Sequence, residues 1–350
     1  MSGVLTLRDH GGTLLLPHFE SEGAGMSIAA STDVLNSIGN TPLVQLRRVV
    51  PKGAARVLVK IEGANPTGSM KDRMAKAAVE GAERAGRLQS GGTVVEYTGG
   101  STGTSLALVC AAKGYRLRIV TSDAFSQDKR DHMASLGAEL TVIRSDRGQI
   151  TEKLIKDMIR TAGEYADEPG CWWVDQLNNT DAASGYHPMG DEIWAQTAGI
   201  VDSFVHAVGT AHSLHGVAGV LRRRNQAIEI TCVEPAESPI ISEGTTAGHR
   251  IEGIGIGFVP PMWDPADADR FETVSSSDAH DMARTLAQQE AIFAGASTGA
   301  NVVAALRVAE RLDPQATVVT LAVDSGLKYL ATEVFAGASD GAPVFERDDS

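Results

Sequence analysis

Short apolar runs alternate along the chain with longer segments that are rich in alanine and charged residues. The short runs carry β-branched residues and are typical of buried strands, whereas the longer segments have the composition of helices. The pattern predicts strands at residues 56–62, 93–97, 117–121, 139–143, 171–176, 203–208, 228–233 and 317–323. It predicts helices at residues 70–88, 104–112, 128–136, 150–165, 278–293 and 301–312. Such alternation favours an α/β fold with mostly parallel sheets covered by helices.

The turn between the first of these strands and the first helix reads Asn-Pro-Thr-Gly-Ser-Met-Lys-Asp-Arg at residues 65–73. Ser69 followed by Asp72 is a variant of the capping box, which predicts that the helix starts at Ser69. Lys71 then lies in the first helical turn, where a cation is unfavourable for the helix dipole. We therefore expect this lysine to be either turned into solvent or neutralised by chemistry.

Two glycine-rich loops each follow a predicted strand and open a predicted helix, at residues 98–103 and 209–216. Backbone N–H groups at such a helix start form an anion site. A dinucleotide site is the rival interpretation of the first loop, but its glycines do not follow the G-x-G-x-x-G spacing. His212 and His215 in the second loop suggest a metal pair, yet no third ligand is nearby in the sequence, so we predict no metal.

Composition narrows the classes of function. The chain has 350 residues, 43% hydrophobic and 21% charged, as expected of a globular enzyme. A formal charge of -13 argues against a nucleic-acid partner. The three cysteines form no C-x-x-C, which favours a reducing cytoplasm over a disulfide or zinc framework. The sequence offers neither a membrane span nor a signal peptide, so we expect no membrane partner.

The order of the motifs resembles that of the cysteine synthase and cystathionine β-synthase family, pyridoxal-phosphate enzymes of the tryptophan-synthase-β-like fold, also called fold type II. The resemblance extends over about residues 34 to 334 and is carried by residues 38–43, 65–73, 98–103, 176–179, 209–216, 250–260, 295–300 and 324–330. It implies two domains, each a mostly parallel sheet covered by helices, with the cofactor in the cleft between them. We expect a cofactor domain at residues 31–62 with 178–337 and a substrate-loop domain at 63–177, flanked by an extension at 1–30 and a tail at 338–350.

The resemblance also implies the site residues. Pyridoxal 5'-phosphate would form a Schiff base with Lys71, whose amine then acts as general base. The expected cofactor-binding residues are Lys71, Ser101, Gly209, Thr210, Ala211, His212, Ser213 and Ser297. Ser297 would reach the pyridine nitrogen, and its other interpretation is a helix cap. The residues expected to bind the substrate carboxylate are Thr98, Gly99, Gly100, Thr102 and Gln176.

Four of these positions depart from the family pattern. Ser101 replaces an asparagine that contacts the cofactor ring oxygen in relatives, which leaves substrate and reaction open. Gly99 replaces serine, which we interpret as a permissive change. Ala211 and His212 replace glycines, and alanine is tolerated there if its φ stays negative. His212 would either contact the phosphate or lie outward.

By resemblance, the predicted function is β-replacement on an activated serine, such as O-acetylserine with sulfide to give cysteine. One alternative is a β-eliminating lyase such as a cysteine desulfhydrase or a serine dehydratase. Another, from a different class, is a cofactor-binding relative without useful catalysis. The expected partners are a small amino-acid substrate and, because relatives are usually homodimers, a second copy of the chain.

Overall fold

The strands in the described part of the chain form two separate sheets. The structure is a computed structural model and describes residues 33–149 and 151–336, so the predicted extension at 1–30 and tail at 338–350 lie outside the described residues. The strands are β1 Leu43–Gln45, β2 Arg56–Ile61, β3 Thr93–Tyr97, β4 Arg116–Ser122, β5 Glu139–Ile143, β6 Cys171–Trp173, β7 Ser203–Ala207, β8 Glu229–Pro235, β9 Arg270–Val274 and β10 Thr317–Ala322.

The larger sheet has the strand order β1-β2-β10-β7-β8-β9 and the smaller sheet has the order β5-β4-β3-β6. All neighbouring strands run parallel except β1, which is antiparallel to β2. The strands that connect through helices are buried on both faces, as in β10, β7 and β3. The predicted fold class of mostly parallel sheets covered by helices is confirmed. The exact domain limits remain a prediction.

The helices that cover these sheets are α1 Lys71–Arg84, α2 Ser101–Lys113, α3 Gln127–Ser135, α4 Glu152–Ala166, α5 Thr180–Ser184, α6 His187–Gln196, α7 His212–Arg224, α8 Ser276–Thr285 and α9 Ala296–Arg311. Helices α2 and α9 start three and five residues before the predicted starts at residues 104 and 301. The helix predicted at 278–293 is shorter, because a π-helical turn at Leu286–Glu290 ends at Ala291 in the left-handed conformation with a φ of 57°. Strand β9 was not predicted. No helix of the described residues is long and apolar enough to cross a membrane.

The larger sheet brings three loops to one edge. Thr320 of β10 lies opposite Val59 of β2 on one side and Val205 of β7 on the other. Because these three strands are parallel, the segments that follow them all leave from the same edge of the sheet. These segments are residues 62–70, 208–211 and 323–325, and the first two lead into α1 and α7.

The loop before α1 is fixed to the segment after β10. The Met70 N–H donates to the Val323 carbonyl at 3.0 Å, and the Ser325 N–H donates to the Gly68 carbonyl at 2.8 Å. The start of α1 is therefore held at the carboxyl edge of the larger sheet.

Buried ion pairs reinforce this attachment. Arg73 contacts Glu62 at 2.7 Å and Glu192 at 2.8 Å, and Lys60 contacts Glu192 at 2.6 Å. Burial alone would lower the pKa of Arg73, but its hydrogen bonds to Glu192 and Glu62 raise that pKa above the ordinary value. The fully satisfied network ties α1 to β2 and α6, and thereby fixes the position of Lys71.

Candidate active site

Lys71 lies in the first turn of α1, as the sequence predicts, and is the first residue of the helix. The predicted capping box does not form, because the cap residue is Met70 and the Ser69 hydroxyl accepts a hydrogen bond from the Lys71 N–H at 3.2 Å rather than from the Asp72 N–H. Asp72 instead accepts hydrogen bonds from the Thr67 N–H at 2.8 Å and from the Ser105 hydroxyl at 2.6 Å. Asp72 therefore closes the preceding loop and joins α1 to α2 rather than capping its own helix.

Burial lowers the pKa of Lys71 from 10.5 to about 8, and the Asp324 carboxylate opposes this shift. Within the described residues, the Lys71 ammonium makes no hydrogen bond and no ion pair. A desolvated amine with a pKa near neutrality is partly unprotonated in neutral solution, so it can act as a nucleophile and as a base. Lys71 is thus half-buried rather than turned fully into solvent. This setting favours the second alternative, neutralisation by chemistry, and the role of Lys71 stays a prediction.

Asp324 is the first residue of the motif at residues 324–330, and no role was predicted for it. One of its oxygens accepts a hydrogen bond from the Tyr329 hydroxyl at 2.7 Å, while Oδ1 is buried without a partner in the described residues. Burial raises the pKa of Asp324. Its backbone pairs with Ser69 in an isolated bridge, which places the carboxylate beside the loop that carries Lys71.

The second glycine-rich loop joins β7 to α7. None of the backbone N–H groups of residues 210–214 donates a hydrogen bond within the described residues. Gly209 passes so close to the Gly253 carbonyl oxygen that a Cβ at position 209 would lie 2.5 Å from it. Successive unpaired N–H groups at the start of a 13-residue helix form a cradle for an anion such as a phosphate.

Ala211 does not meet the condition under which alanine would replace glycine without cost. Its φ is +70°, in the left-handed region, and not negative. The left-handed conformation costs a non-glycine residue about 1–2 kcal/mol. Ala211 is buried and directly precedes α7, so the surrounding structure holds the loop in the conformation that glycine would adopt freely.

Three side chains of the loop interact locally. His212 Nδ1 lies 2.9 Å from the Thr210 hydroxyl, and the buried ring also interacts with the Asn179 backbone. Burial, with a smaller contribution from the Lys71 charge, lowers the pKa of His212 to about 4, so the ring is neutral. His212 is therefore buried rather than turned outward. Ser213 lies 2.8 Å from Nε2 of His206.

The two loop histidines do not converge on a metal. His215 pairs instead with the Asp267 carboxylate at 2.9 Å. Within residues 33–149 and 151–336, no group of three or more histidine, cysteine, aspartate or glutamate side chains is placed to hold a metal ion.

Ser297 is buried in the first turn of α9. Because the helix begins at Ala296 with Gly295 as its cap residue, Ser297 is not the cap, and that interpretation was wrong. The neighbouring Thr298 hydroxyl accepts a hydrogen bond from the Val323 N–H at 3.0 Å. Since Val323 also holds the loop before α1, Ser297 and Lys71 belong to elements that meet at the same short segment.

The first glycine-rich loop joins β3 to α2. The Thr102 hydroxyl donates to Gln176 Oε1 at 2.9 Å, and Gln176 Nε2 donates to the Tyr97 carbonyl at 3.1 Å. The Thr98 hydroxyl accepts a hydrogen bond from the Gly100 N–H at 3.1 Å. The structure thus brings together the residues predicted to bind a carboxylate.

Several donors of this loop are unpaired. The Ser101 and Thr102 N–H groups and the second N–H of Gln176 Nε2 have no acceptor within the described residues. They can bind a carboxylate at the start of α2. The half-buried Ser101 side chain makes no hydrogen bond within the described residues.

The space beside Gly99 is filled by an aromatic ring. A Cβ at this position would lie 2.2 Å from ring carbons of Phe125, far closer than any van der Waals contact. Phe125 follows β4 and covers the loop, so the ring occupies the space that a larger residue at position 99 would need. Glycine at 99 and phenylalanine at 125 are therefore a matched pair.

The model of the family described as "Pyridoxal-phosphate dependent enzyme" matches residues 34–324. The chain belongs to this family. Its members require pyridoxal phosphate, so the predicted cofactor and the suspected family are both confirmed.

The individual proteins that this pyridoxal-phosphate-dependent enzyme resembles are named for different activities. The chain is 38% identical over 306 residues to a cysteine synthase of Staphylococcus aureus (strain Mu50), a match that covers 87% of this chain and 96% of the relative. It resembles the crystal structure of O-ureido-L-serine synthase with a TM-score of 0.83 and 35% identity, covering 92% and 98% of the two chains. It also resembles a hydrogen sulfide-producing enzyme of Fusobacterium nucleatum, with a TM-score of 0.80, 32% identity and coverage of 86% and 99%.

The residues present fit a pyridoxal-phosphate enzyme. The loop before α7 offers unpaired N–H groups for a phosphate, and the Ser213 hydroxyl lies beside them. The Lys71 charge lowers the pKa values of both His206 and His212, so the amine and the loop lie within electrostatic range of each other. A group with an aldehyde at one end and a phosphate at the other matches this arrangement.

Glu96 is a further residue that sequence reasoning missed. It lies fully buried in β3, where its carboxyl oxygens accept hydrogen bonds from the N–H groups of Gln176 at 2.9 Å and Tyr97 at 2.8 Å. Burial raises the pKa of Glu96 to about 8. An acidic residue inside an apolar strand was the signal available in the sequence, and the structure shows that it orients Gln176.

Proposed function

We propose that this enzyme catalyses β-replacement on an activated serine, as a cysteine synthase does with O-acetylserine and sulfide. The observation that carries the proposal is the desolvated Lys71 amine, which shares the carboxyl edge of the larger sheet with an unpaired phosphate cradle. The identity to a cysteine synthase over most of both chains supports the choice of reaction.

Lys71 would hold the cofactor covalently through Nζ, and the loop at residues 209–213 would hold its phosphate through backbone N–H groups. Ser297 in the first turn of α9 would face the pyridine nitrogen, and Ser101 would lie near the ring. When bound, pyridoxal phosphate supplies an electron sink for the pair of electrons left by the substrate's α-proton.

The substrate carboxylate would be bound at the start of α2. The Ser101 and Thr102 N–H groups are free to donate to it, and so is the second N–H of Gln176 Nε2. Glu96 holds the Gln176 backbone, while the Thr102 hydroxyl holds its side-chain oxygen. These contacts orient the donors before substrate arrives, which reduces the entropy lost on binding.

Once substrate is bound, the Lys71 amine would take the α-proton at Nζ. A pKa of about 8 leaves about a tenth of the amine unprotonated at pH 7, enough for a general base. The Phe125 ring lies against Gly99 on one side of the substrate loop. A nucleophile such as sulfide then adds where the leaving group departed.

β-Elimination without a second substrate is the alternative that one observation favours. The Ser101 side chain makes no hydrogen bond within the described residues, and it is shorter than the asparagine expected at that position. A relative at 32% identity is a hydrogen sulfide-producing enzyme, as an eliminating relative would be. The lowered pKa of the Lys71 amine argues against the remaining alternative, in which this protein binds the cofactor without useful catalysis.

Product analysis distinguishes these reactions. The purified enzyme would be supplied with O-acetylserine, with and without sulfide, and in parallel with cysteine alone. β-Replacement predicts cysteine and acetate only when sulfide is present. Pyruvate and ammonia from O-acetylserine, or sulfide from cysteine, at rates above those of cysteine formation would overturn the proposal in favour of elimination.

Three features of the enzyme are proposals that await a test. We propose a homodimer, which light scattering of the purified protein tests directly. A cytoplasmic location is tested by fractionation of the producing cells. The domain limits at residues 63 and 177 are tested by limited proteolysis.

A further inference from the structure

A chain of three buried polar side chains leads from the middle of the larger sheet to the loop before α7. Asn301 of α9, His206 of β7 and Ser213 of α7 are at most 6% exposed. Asn301 Nδ2 lies 3.3 Å from His206 Nδ1, and His206 Nε2 lies 2.8 Å from Ser213 Oγ. Neither His206 nor Asn301 was a predicted site residue.

Two backbone groups fix the orientation of the Asn301 amide. Oδ1 accepts a hydrogen bond from the Ala207 N–H at 2.8 Å, and Nδ2 donates to the Leu321 carbonyl at 2.9 Å. Rotating the amide by half a turn would place Oδ1 against the Leu321 carbonyl oxygen and Nδ2 against the Ala207 N–H. Only one orientation therefore satisfies both partners, and it directs the second N–H of Nδ2 at His206.

The proton positions on His206 and Ser213 follow. Because Nδ1 accepts from Asn301, the proton of the neutral ring must lie on Nε2. The Nε2–H then donates to Ser213 Oγ, so the hydroxyl hydrogen of Ser213 cannot occupy that contact. Ser213 makes no other side-chain hydrogen bond within the described residues, and its hydrogen is free to point toward the loop.

We propose that Asn301 and His206 set the Ser213 hydroxyl as a donor to an anionic oxygen bound in the loop. This inference rests on the proposed function, in which that anion is the cofactor phosphate. His206 is a positioning residue, because it acts on the anion only through Ser213. The opposite ring tautomer would take the Ser213 hydrogen for itself and turn a lone pair toward the phosphate.

The electrostatics agree with this arrangement. Burial, followed by the charge of Lys71, lowers the pKa of His206 to about 3, so the ring stays neutral in neutral solution. The loop then binds its anion with neutral donors, namely the N–H groups of residues 210–214 and the Ser213 hydroxyl. Such preoriented dipoles stabilise an anion without a cationic side chain.

The first experiment tests the tautomer in the cofactor-free protein. The nine histidines would be labelled with ¹⁵N, and the His206 signals would be assigned by their loss in His206→Gln. The expected result is a protonated Nε2 and an unprotonated Nδ1, both unchanged between about pH 5 and 9. A protonated Nδ1, or titration within that range, would overturn the inference.

The second experiment measures affinities for inorganic phosphate and pyridoxal phosphate in a double-mutant cycle. Ser213→Ala should weaken binding by about tenfold, the loss of one charge-assisted hydrogen bond. His206→Phe should weaken it about threefold to tenfold alone and add nothing in the Ser213→Ala background. His215→Phe, on the same helix but paired with Asp267, is the matched control and should leave both affinities unchanged.

The results of the double-mutant cycle distinguish a failure of the positioning role of His206 from a failure of the proposed phosphate site. If Ser213→Ala weakens binding and His206→Phe adds an independent loss, the positioning role is wrong while the phosphate loop stands. If Ser213→Ala leaves both affinities unchanged although the tautomer is as expected, the hydroxyl does not donate to the anion and the inference fails, while the backbone N–H cradle of the proposed function stands. If the unsubstituted protein binds neither inorganic phosphate nor pyridoxal phosphate, the phosphate assignment itself fails, and the inference fails with it.

Discussion

The environment of Lys71 can be tested by removing the one carboxylate that raises its pKa. Asp324→Asn keeps an acceptor for the Tyr329 hydroxyl, so the local hydrogen bond can be retained. Burial lowers the pKa of Lys71 to about 8 against the attraction of Asp324. A nearby carboxylate favours the charged ammonium, so we expect the Lys71 pKa to fall below about 8 in the variant.

Only the unprotonated amine reacts with an acylating reagent, so trace labelling of the cofactor-free protein measures this pKa. Peptide mass analysis over a pH series gives the half-labelling pH of Lys71. Asp128→Asn, which removes an exposed carboxylate of α3, is the control and should leave the profile unchanged. A Lys71 pKa that stays the same or rises in Asp324→Asn would refute the reasoning, since removing an anion cannot stabilise the ammonium.

Three further predictions concern stability and specificity. The unfolded chain holds the Lys71 proton up to about pH 10.5 and the folded chain only to about pH 8, so stability rises with pH between these values. Lys71→Met should therefore raise the free energy of unfolding of the cofactor-free protein at pH 7 by up to about 3 kcal/mol, measured by urea unfolding. A rise in this free energy that does not shrink above pH 8 would contradict the prediction. Gly99→Ser should lower the free energy of unfolding by about 1–3 kcal/mol, because the added side chain overpacks against Phe125. Adding Phe125→Ala should recover much of that loss, and purely additive effects of the two substitutions would exclude the contact. Ser101→Asn should change the ratio of rates with O-acetylserine, O-phosphoserine and cysteine by up to about tenfold, and unchanged ratios would show that Ser101 carries no specificity.

Local sequence was sufficient to predict the parts of the site that depend on neighbouring residues. Lys71 could be placed at a helix start because a strand, a Pro-Gly turn and a helical segment follow one another within the same stretch. The two glycine-rich loops were predicted for the same reason, since each directly follows a strand. Strand ends and turn residues are short-range signals.

Contacts between distant segments could not be predicted in this way. His206 and Asn301 are 95 positions apart in the sequence. Phe125 lies over Gly99 because α2 packs against β4. The positive φ of Ala211 is imposed by its buried setting against the usual preference of alanine.

The expected capping box failed for a related reason. The Asp72 carboxylate accepts hydrogen bonds from Thr67 and from Ser105, and Ser105 lies 33 positions away on another helix. Tertiary contacts of this kind override a local motif.

The proposed covalent attachment of pyridoxal phosphate to Lys71 is tested most directly by borohydride reduction of the purified holoenzyme, followed by peptide mapping of the fixed cofactor. We expect reduction to remove the visible absorbance and the added mass to lie on the peptide containing Lys71 and to be absent in Lys71→Ala. A cofactor found on another lysine, or no reducible cofactor in a folded and fully reconstituted protein, would show that Lys71 is not the anchor.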